Sequence, residues 1–193
     1  MKPMKPTPKQ LEIYEVAKKL FVEKGYRETS VRDIAAVLNI KAASLYSHII
    51  TKDEILDYIC HDVFERLSTG LKNLMHTELP LQQKFPEFIR IYITESLKDI
   101  DKFVVYQKYW KLSEKHSEKI ADGKNLLHER LKNLLAANLT GDAEMECFVD
   151  DSTTLLVLHI LQFVPHLVNN KENPDIEAVV PEIQKRLLFG YAK

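Results

Sequence analysis

Three side chains with anion-binding chemistry fall close together: the phenol of Tyr46, the imidazole of His48 and the ammonium of Lys52. At the end of one helix and the start of the next, such groups can clamp phosphates. The alternative is that Tyr46 packs between helices and Lys52 is solvated. Just upstream, Lys41, Ala42, Ala43, Ser44 and Ser47 form a short surface in which only the lysine and the serines can hydrogen-bond a base edge. The alanines can only meet a thymine methyl. No Arg, Asn or Gln stands between Lys41 and His48, so if this surface faces a duplex, strong bidentate readout is missing and specificity is expected to lean on methyl contacts and DNA shape. Thr29 and Ser30 place two hydroxyls before another short helix, where they can cap it, face an anion, or both.

The elements that position these groups are helical. Val31 to Ile49 reads as two short helices joined through Leu38-Asn39-Ile40-Lys41. Ala35 is small where two backbones must approach, and Ile34, Leu38, Ile40 and Leu45 supply the inner faces. The turn needs a left-handed residue, and Asn39 is the best non-glycine choice. That geometry pushes the second helix, about Ala42–His48, outward into reach of a major groove about 12 Å wide.

Helix signals continue on both sides. Thr7-Pro8-Lys9-Gln10 is a capping box with a first-turn proline. The helix after it is predicted to bury Leu11, Tyr14, Ala17, Leu20 and Phe21, and Gly25 to end it in the left-handed region. Ser30 with Asp33 and Thr51 with Glu54 form two further boxes. The second of these opens a long helix that Pro80 ends. Apolar-periodic stretches follow around 85–98, 102–113, 116–138, 143–169 and 175–190, with Pro86 in a first turn. The expected fold is all-α, with about nine helices: a helix-turn-helix head over 7–52 (motif 30–49) and a helical body over 53–193.

Charge follows the same division. The chain has 193 residues and a net charge of −1, which argues against a nucleic-acid partner when taken whole. Residues 1–52 carry ten basic and five acidic groups, a balance of +5. The remainder carries 17 and 23, a balance of −6. A basic head on an acidic body is the expectation, with the body repelling the duplex so that only the heads dock.

The N-terminal third resembles the TetR family of bacterial transcriptional regulators. The resemblance rests on AKKLF (17–21), GYRETSVRDIA (25–35), LNIKAASLYSHI (38–49) and TKDEIL (51–56). Asn39 stands where the family has glycine, and Ile49 where it has an aromatic residue. The resemblance implies backbone-contacting roles for Tyr46, His48 and Lys52. It also implies a homodimer built by the last two helices, a repressor bound to a palindromic operator, and release by a small molecule held in the body.

In the body, Phe103, Tyr106, Tyr109 and Trp110, with Tyr92 on the preceding helix, form an aromatic stripe. Such a stripe is either core or the wall of an effector cavity. His159, Gln162 and His166 line one side of the most hydrophobic segment, beside Phe163. With Val179, Ile183 and Leu187 they suit a dimer seam, and burial within one chain is the alternative.

Enzyme chemistry has no foothold: no Gly-rich phosphate loop, nucleophile elbow, metal-ligand spacing or supported Cys–His pair is present, and neither a metal nor a cofactor is expected. A helical interaction module without DNA binding is the remaining alternative. The basic, proline-spaced N-terminus lacks the apolar run of a signal peptide, and no stretch suits a membrane span. Cys60 and Cys147 are isolated, as buried thiols in a reducing cytoplasm would be.

Overall fold

The computed structural model describes residues 6–114, 118–139, 154, 161 and 175–189. These contain eight helices and no strand: α1 (Pro8–Glu23), α2 (Val31–Val37), α3 (Ala42–Leu45), α4 (Lys52–Met75), α5 (Leu81–Leu97), α6 (Ile100–Glu114), α7 (Glu118–Leu139) and α8 (Ile176–Phe189). The 143–169 segment, with His159, Gln162, Phe163 and His166, lies outside the described residues except at Thr154 and Leu161, both buried.

The chain divides into two compact units, and the division falls inside α4. Residues 1–63 and 101–118 form one; residues 64–100 and 119–193 form the other. The first unit is therefore larger than the 7–52 segment, because it includes α6, which meets the α1–α2 loop through Tyr109 and α4 through the Lys102–Asp62 pair.

In the first unit, α1 opens with the full capping box. The Thr7 hydroxyl accepts from the Gln10 N–H, and the Gln10 side chain accepts from the Thr7 N–H at 2.8 Å. The buried arc of α1 is Ile13, Tyr14, Ala17, Lys18, Leu20 and Phe21. Leu11, expected inside, stays 41% exposed because it falls at the rim of that arc in the first turn. Ser30 and Asp33 complete the capping box of α2. At its other end, Asn39 adopts φ +53°. The Asn39 N–H then reaches the Ala36 carbonyl at 3.1 Å, and the Ile40 N–H reaches that of Ala35 at 3.0 Å. This pair of bonds is the Schellman closure of a helix, with asparagine in the left-handed position that glycine usually takes. Ile34, Ala35 and Leu45 are buried in the angle between α2 and α3, while Leu38 and Ile40 are half-buried. After Leu45 the helix tightens into three-residue turns that carry the chain to His48.

The third capping box forms only in part. The Thr51 hydroxyl accepts from the Glu54 N–H at 3.1 Å, but the Glu54 carboxylate turns elsewhere. One oxygen accepts the Ile50 N–H at 2.8 Å, and the other accepts the Tyr14 hydroxyl at 3.2 Å.

In the second unit, α5 begins at Leu81, earlier than the periodicity indicates, with Pro80 as its N-cap residue and Pro86 inside the helix. The helix can start there because the Pro80 carbonyl accepts the N–H groups of both Gln83 and Lys84. α5 packs along α8, and the Arg90 guanidinium holds the Glu177 carboxylate at 2.5 Å and 2.9 Å. Asp175 caps α8 through the Ala178 N–H. Phe85, Phe88, Ile89, Tyr92 and Ile93 share this unit's core with Leu131, Leu134 and Leu135. None of the described helices is long and apolar enough to cross a membrane.

Candidate nucleic-acid interface

Residues 24–30, between α1 and α2, determine how the head presents itself. Gly25, at φ +93°, ends α1 and turns the chain. The seven residues of this connection must satisfy their backbone polar groups in a partly buried site, and side chains from the loop itself, α4 and α6 do so. The Thr29 hydroxyl donates to the Gly25 carbonyl at 2.8 Å, with that of Leu20 at 3.2 Å. The Lys52 ammonium donates to the carbonyls of Tyr26 (2.6 Å) and Thr29 (2.8 Å). The Tyr109 hydroxyl on α6 accepts the Tyr26 N–H at 3.1 Å.

Tyr26 is where these ties converge. Its ring is buried against Phe21, edge-on at 5.1 Å, and against Tyr109 at 5.7 Å. The Lys52 ammonium sits 4.2 Å from the ring centroid, and the Tyr26 hydroxyl bonds the Asp53 carboxylate. Burial, reinforced by Asp53, holds the Tyr26 phenol above its ordinary range, so it stays a neutral donor. Tyr14 is held up in the same way by burial and Glu54, and its ring lies tilted against that of Tyr58, with centroids 4.6 Å apart.

The exposed surface is formed by α2, α3 and the turn after them. Ser30, Lys41, Ala43, Ser44, Tyr46 and Ser47 are exposed; Ala42 and His48 are half-exposed. Val37 (61% exposed), Tyr46 (56%) and Ile50 (83%) add apolar area. The Ser47 hydroxyl donates to the Ser44 carbonyl at 2.7 Å, so its proton is engaged locally. His48 is held through its carbonyl, which accepts from the Gln10 side-chain amide at 2.9 Å. Gln10 thus caps α1 and ties down the end of the α3 turn.

Two residues expected to meet phosphate occupy different surroundings. Thr29 is 1% exposed, and its hydroxyl is committed to the loop carbonyls. Lys52 is directed into the same loop. The connecting residues Gln10, Tyr14, Glu54 and Tyr26 were not singled out for a site from the sequence. Only Gln10 and Glu54 carried a signal there, as capping-box members.

The aromatic residues of the body separate. Tyr92 is buried in the second unit beside Phe88, with ring centroids 6.1 Å apart. Phe103, Tyr106, Tyr109 and Trp110 lie on α6 in the first unit, where Phe103 is buried and the other three are half-buried. On α8, Val179 and Ile183 are half-buried; of Leu187, only its place in the helix is described. No cluster of metal-ligating side chains occurs among the described residues.

A sequence model of the bacterial regulatory proteins of the tetR family matches residues 13–59. Residues 13–59 therefore carry the N-terminal domain that this family model describes. The HTH-type transcriptional repressor KstR2 of Mycobacterium tuberculosis is 34% identical over 73 residues, which is 37% of this chain and 36% of that protein. The sequence match thus spans about a third of this curated relative. The crystal structure of the TetR family regulator PfmR from Thermus thermophilus superposes with a TM-score of 0.70 at 25% identity, covering 94% of this chain and 99% of that one. A TetR-family regulator from Bordetella parapertussis gives 0.80 at 17% identity, over 95% and 96% of the two chains. These relatives are transcriptional regulators, not enzymes.

Proposed function

We propose that this chain is a TetR-family member: a cytoplasmic, DNA-binding transcriptional repressor that acts as a homodimer on a palindromic operator and is released by a small-molecule effector. The observation that carries the reading is the exposed edge from Lys41 to Ser47, held outward by the Asn39 closure of α2. α3 inserts into the major groove. Tyr46 and His48 meet the DNA backbone, as does Ser30 at the start of α2.

Base readout in this reading is largely apolar. With the Ser47 proton engaged, Lys41 and Ser44 are the donors left on the edge, and Ala42, Ala43 and Val37 offer methyl groups. Thymine methyls are the matching feature of the major groove. Thr29 acts from within, by holding the loop that presents Ser30.

Dimerisation is assigned to α8 through Val179, Ile183 and Leu187, together with the segment carrying His159, Gln162, Phe163 and His166. Two heads then address half-sites about one helical turn apart, ~34–36 Å, or a small multiple of it. The effector is assigned to the neighbourhood of Tyr106 and Trp110 on α6. It releases DNA only if it fits one arrangement of the dimer better than the other.

Selection from random duplexes tests the reading. Enrichment of a palindrome whose affinity falls with salt is the expected result. No enrichment of any sequence overturns it.

A further inference from the structure

We propose that Lys52 is a positioning residue of the head, a latch between α4 and the α1–α2 loop rather than a phosphate contact. The inference rests on the DNA-binding reading for its consequence, and on the loop geometry for its substance.

An ammonium has three N–H donors. Two of those on Lys52 end on the carbonyls of Tyr26 and Thr29, at 2.6 Å and 2.8 Å, and the Tyr26 ring face, 4.2 Å away, takes up the remaining side. The neighbouring Asp53 holds the hydroxyl of the same tyrosine. The first two residues of α4 therefore grip Tyr26 at both ends, one at its carbonyl and ring face and the other at its phenol. Burial against these groups lowers the Lys52 pKa, opposed by the charges of Asp53 and Glu28. To reach a phosphate, the ammonium would have to abandon both carbonyls. Each would then be left unsatisfied in a partly buried loop, which is unfavourable. What the latch delivers is the position of Thr29 and Ser30, and so the angle at which α2 leaves the loop. Lys41, by contrast, is exposed on the α3 edge.

Two measurements on the full chain decide the matter. In the free protein, nitrogen-detected NMR of the lysine side chains should show one slowly exchanging ammonium, absent from Lys52→Met. It should persist when a mixed-sequence duplex is added at low salt. Fast exchange in the free protein, or loss of the signal on adding DNA, overturns the latch.

The second measurement is the salt dependence of binding to the same duplex. Lys41→Met removes an exposed cation from the DNA-facing edge and should reduce the log–log slope by up to about one. Lys52→Met should weaken binding by about tenfold or more and leave the slope in place. Lys52→Arg covers the case in which the methionine variant fails to fold. Arginine serves a phosphate well but does not fit a site shaped for a compact ammonium. Weakened binding by Lys52→Arg supports the latch; full affinity, or a slope loss of about one in Lys52→Met, refutes it. If the unaltered protein binds no duplex, the DNA reading fails, and the ammonium signal of the free protein still decides the latch.

Discussion

The Tyr109 hydroxyl, on α6, accepts the backbone N–H of Tyr26, 3.1 Å away in the loop that ends α1. The same oxygen lies 3.4 Å from where a Cβ on Gly25 would sit. One phenol from a distant stretch of sequence thus satisfies a loop donor and closes over the glycine that makes the loop possible. Tyr109→Phe keeps the ring contact and orphans the N–H. A loss of about 1 kcal/mol in urea unfolding is expected, with faster hydrogen exchange at Tyr26. Unchanged exchange at that amide would show the bond to be unimportant.

Gly25→Ala should be more damaging for a reason independent of Tyr109. At φ +93° an L side chain is strained, and the cost is about 1–2 kcal/mol even where space allows. The loss should persist in a Tyr109→Ala background, where the steric part is gone.

In the second unit, Gly70 faces Ile91. A Cβ added at Gly70 would lie 2.6 Å from Ile91 Cγ2. Gly70→Ala alone is expected to destabilise by about 1–3 kcal/mol through overpacking, despite the better helix propensity of alanine. In an Ile91→Ala background the sign should reverse, to a gain of up to about 1 kcal/mol. A double-mutant cycle by chemical denaturation reads the difference.

Asp33 accepts from the N–H and hydroxyl of Ser30, and these bonds hold its carboxyl below the ordinary value of 3.8. A depressed folded-state pKa contributes stability above the unfolded value and loses it as pH falls through the folded one. The stability difference between the unaltered protein and Asp33→Ala should therefore be full near neutrality. It should shrink below about pH 4, where the acid limb of a pH–unfolding series measures it.

Burial, with the charge of Asp57 nearby, pushes the Cys60 thiol up to about 12. At pH 8 its thiolate fraction is on the order of one in ten thousand. Iodoacetamide followed by peptide mass mapping should leave Cys60 unmodified in the folded protein and modified in urea. Prompt native labelling would contradict the packing of this residue.

For the proposed operator, replacing a contacted thymidine with deoxyuridine removes one methyl and nothing else. Affinity should drop roughly fourfold per contacted methyl, the worth of one buried carbon. Ala43→Gly should abolish part of that discrimination. Equal affinity for the two duplexes would mean that this edge reads something other than methyl groups.

Local features were legible in advance wherever a short-range rule had a single good solution. Gly25 and Asn39 adopt positive φ as their types require, and the boxes at Thr7 and Ser30 close in full. Pro86 marks where such reasoning stopped: a proline suits a first turn, yet α5 extends a full turn before it because Pro80 supplies a capping carbonyl. Leu11 shows the same limit, since the period sets which face is apolar but not how far along the helix the partner reaches.

From the sequence alone come the helical class, the head with its turn, and the basic and acidic division near Lys52, because each follows from spacing within a few residues. Only the tertiary structure decided where long side chains spend their hydrogen bonds. Thr29 and Lys52 are the residue types that hold phosphate, and both are turned inward. The carbonyls of Tyr26 and Thr29 and the Tyr26 N–H are met by groups distant in sequence, Lys52 of α4 for the carbonyls and Tyr109 of α6 for the N–H.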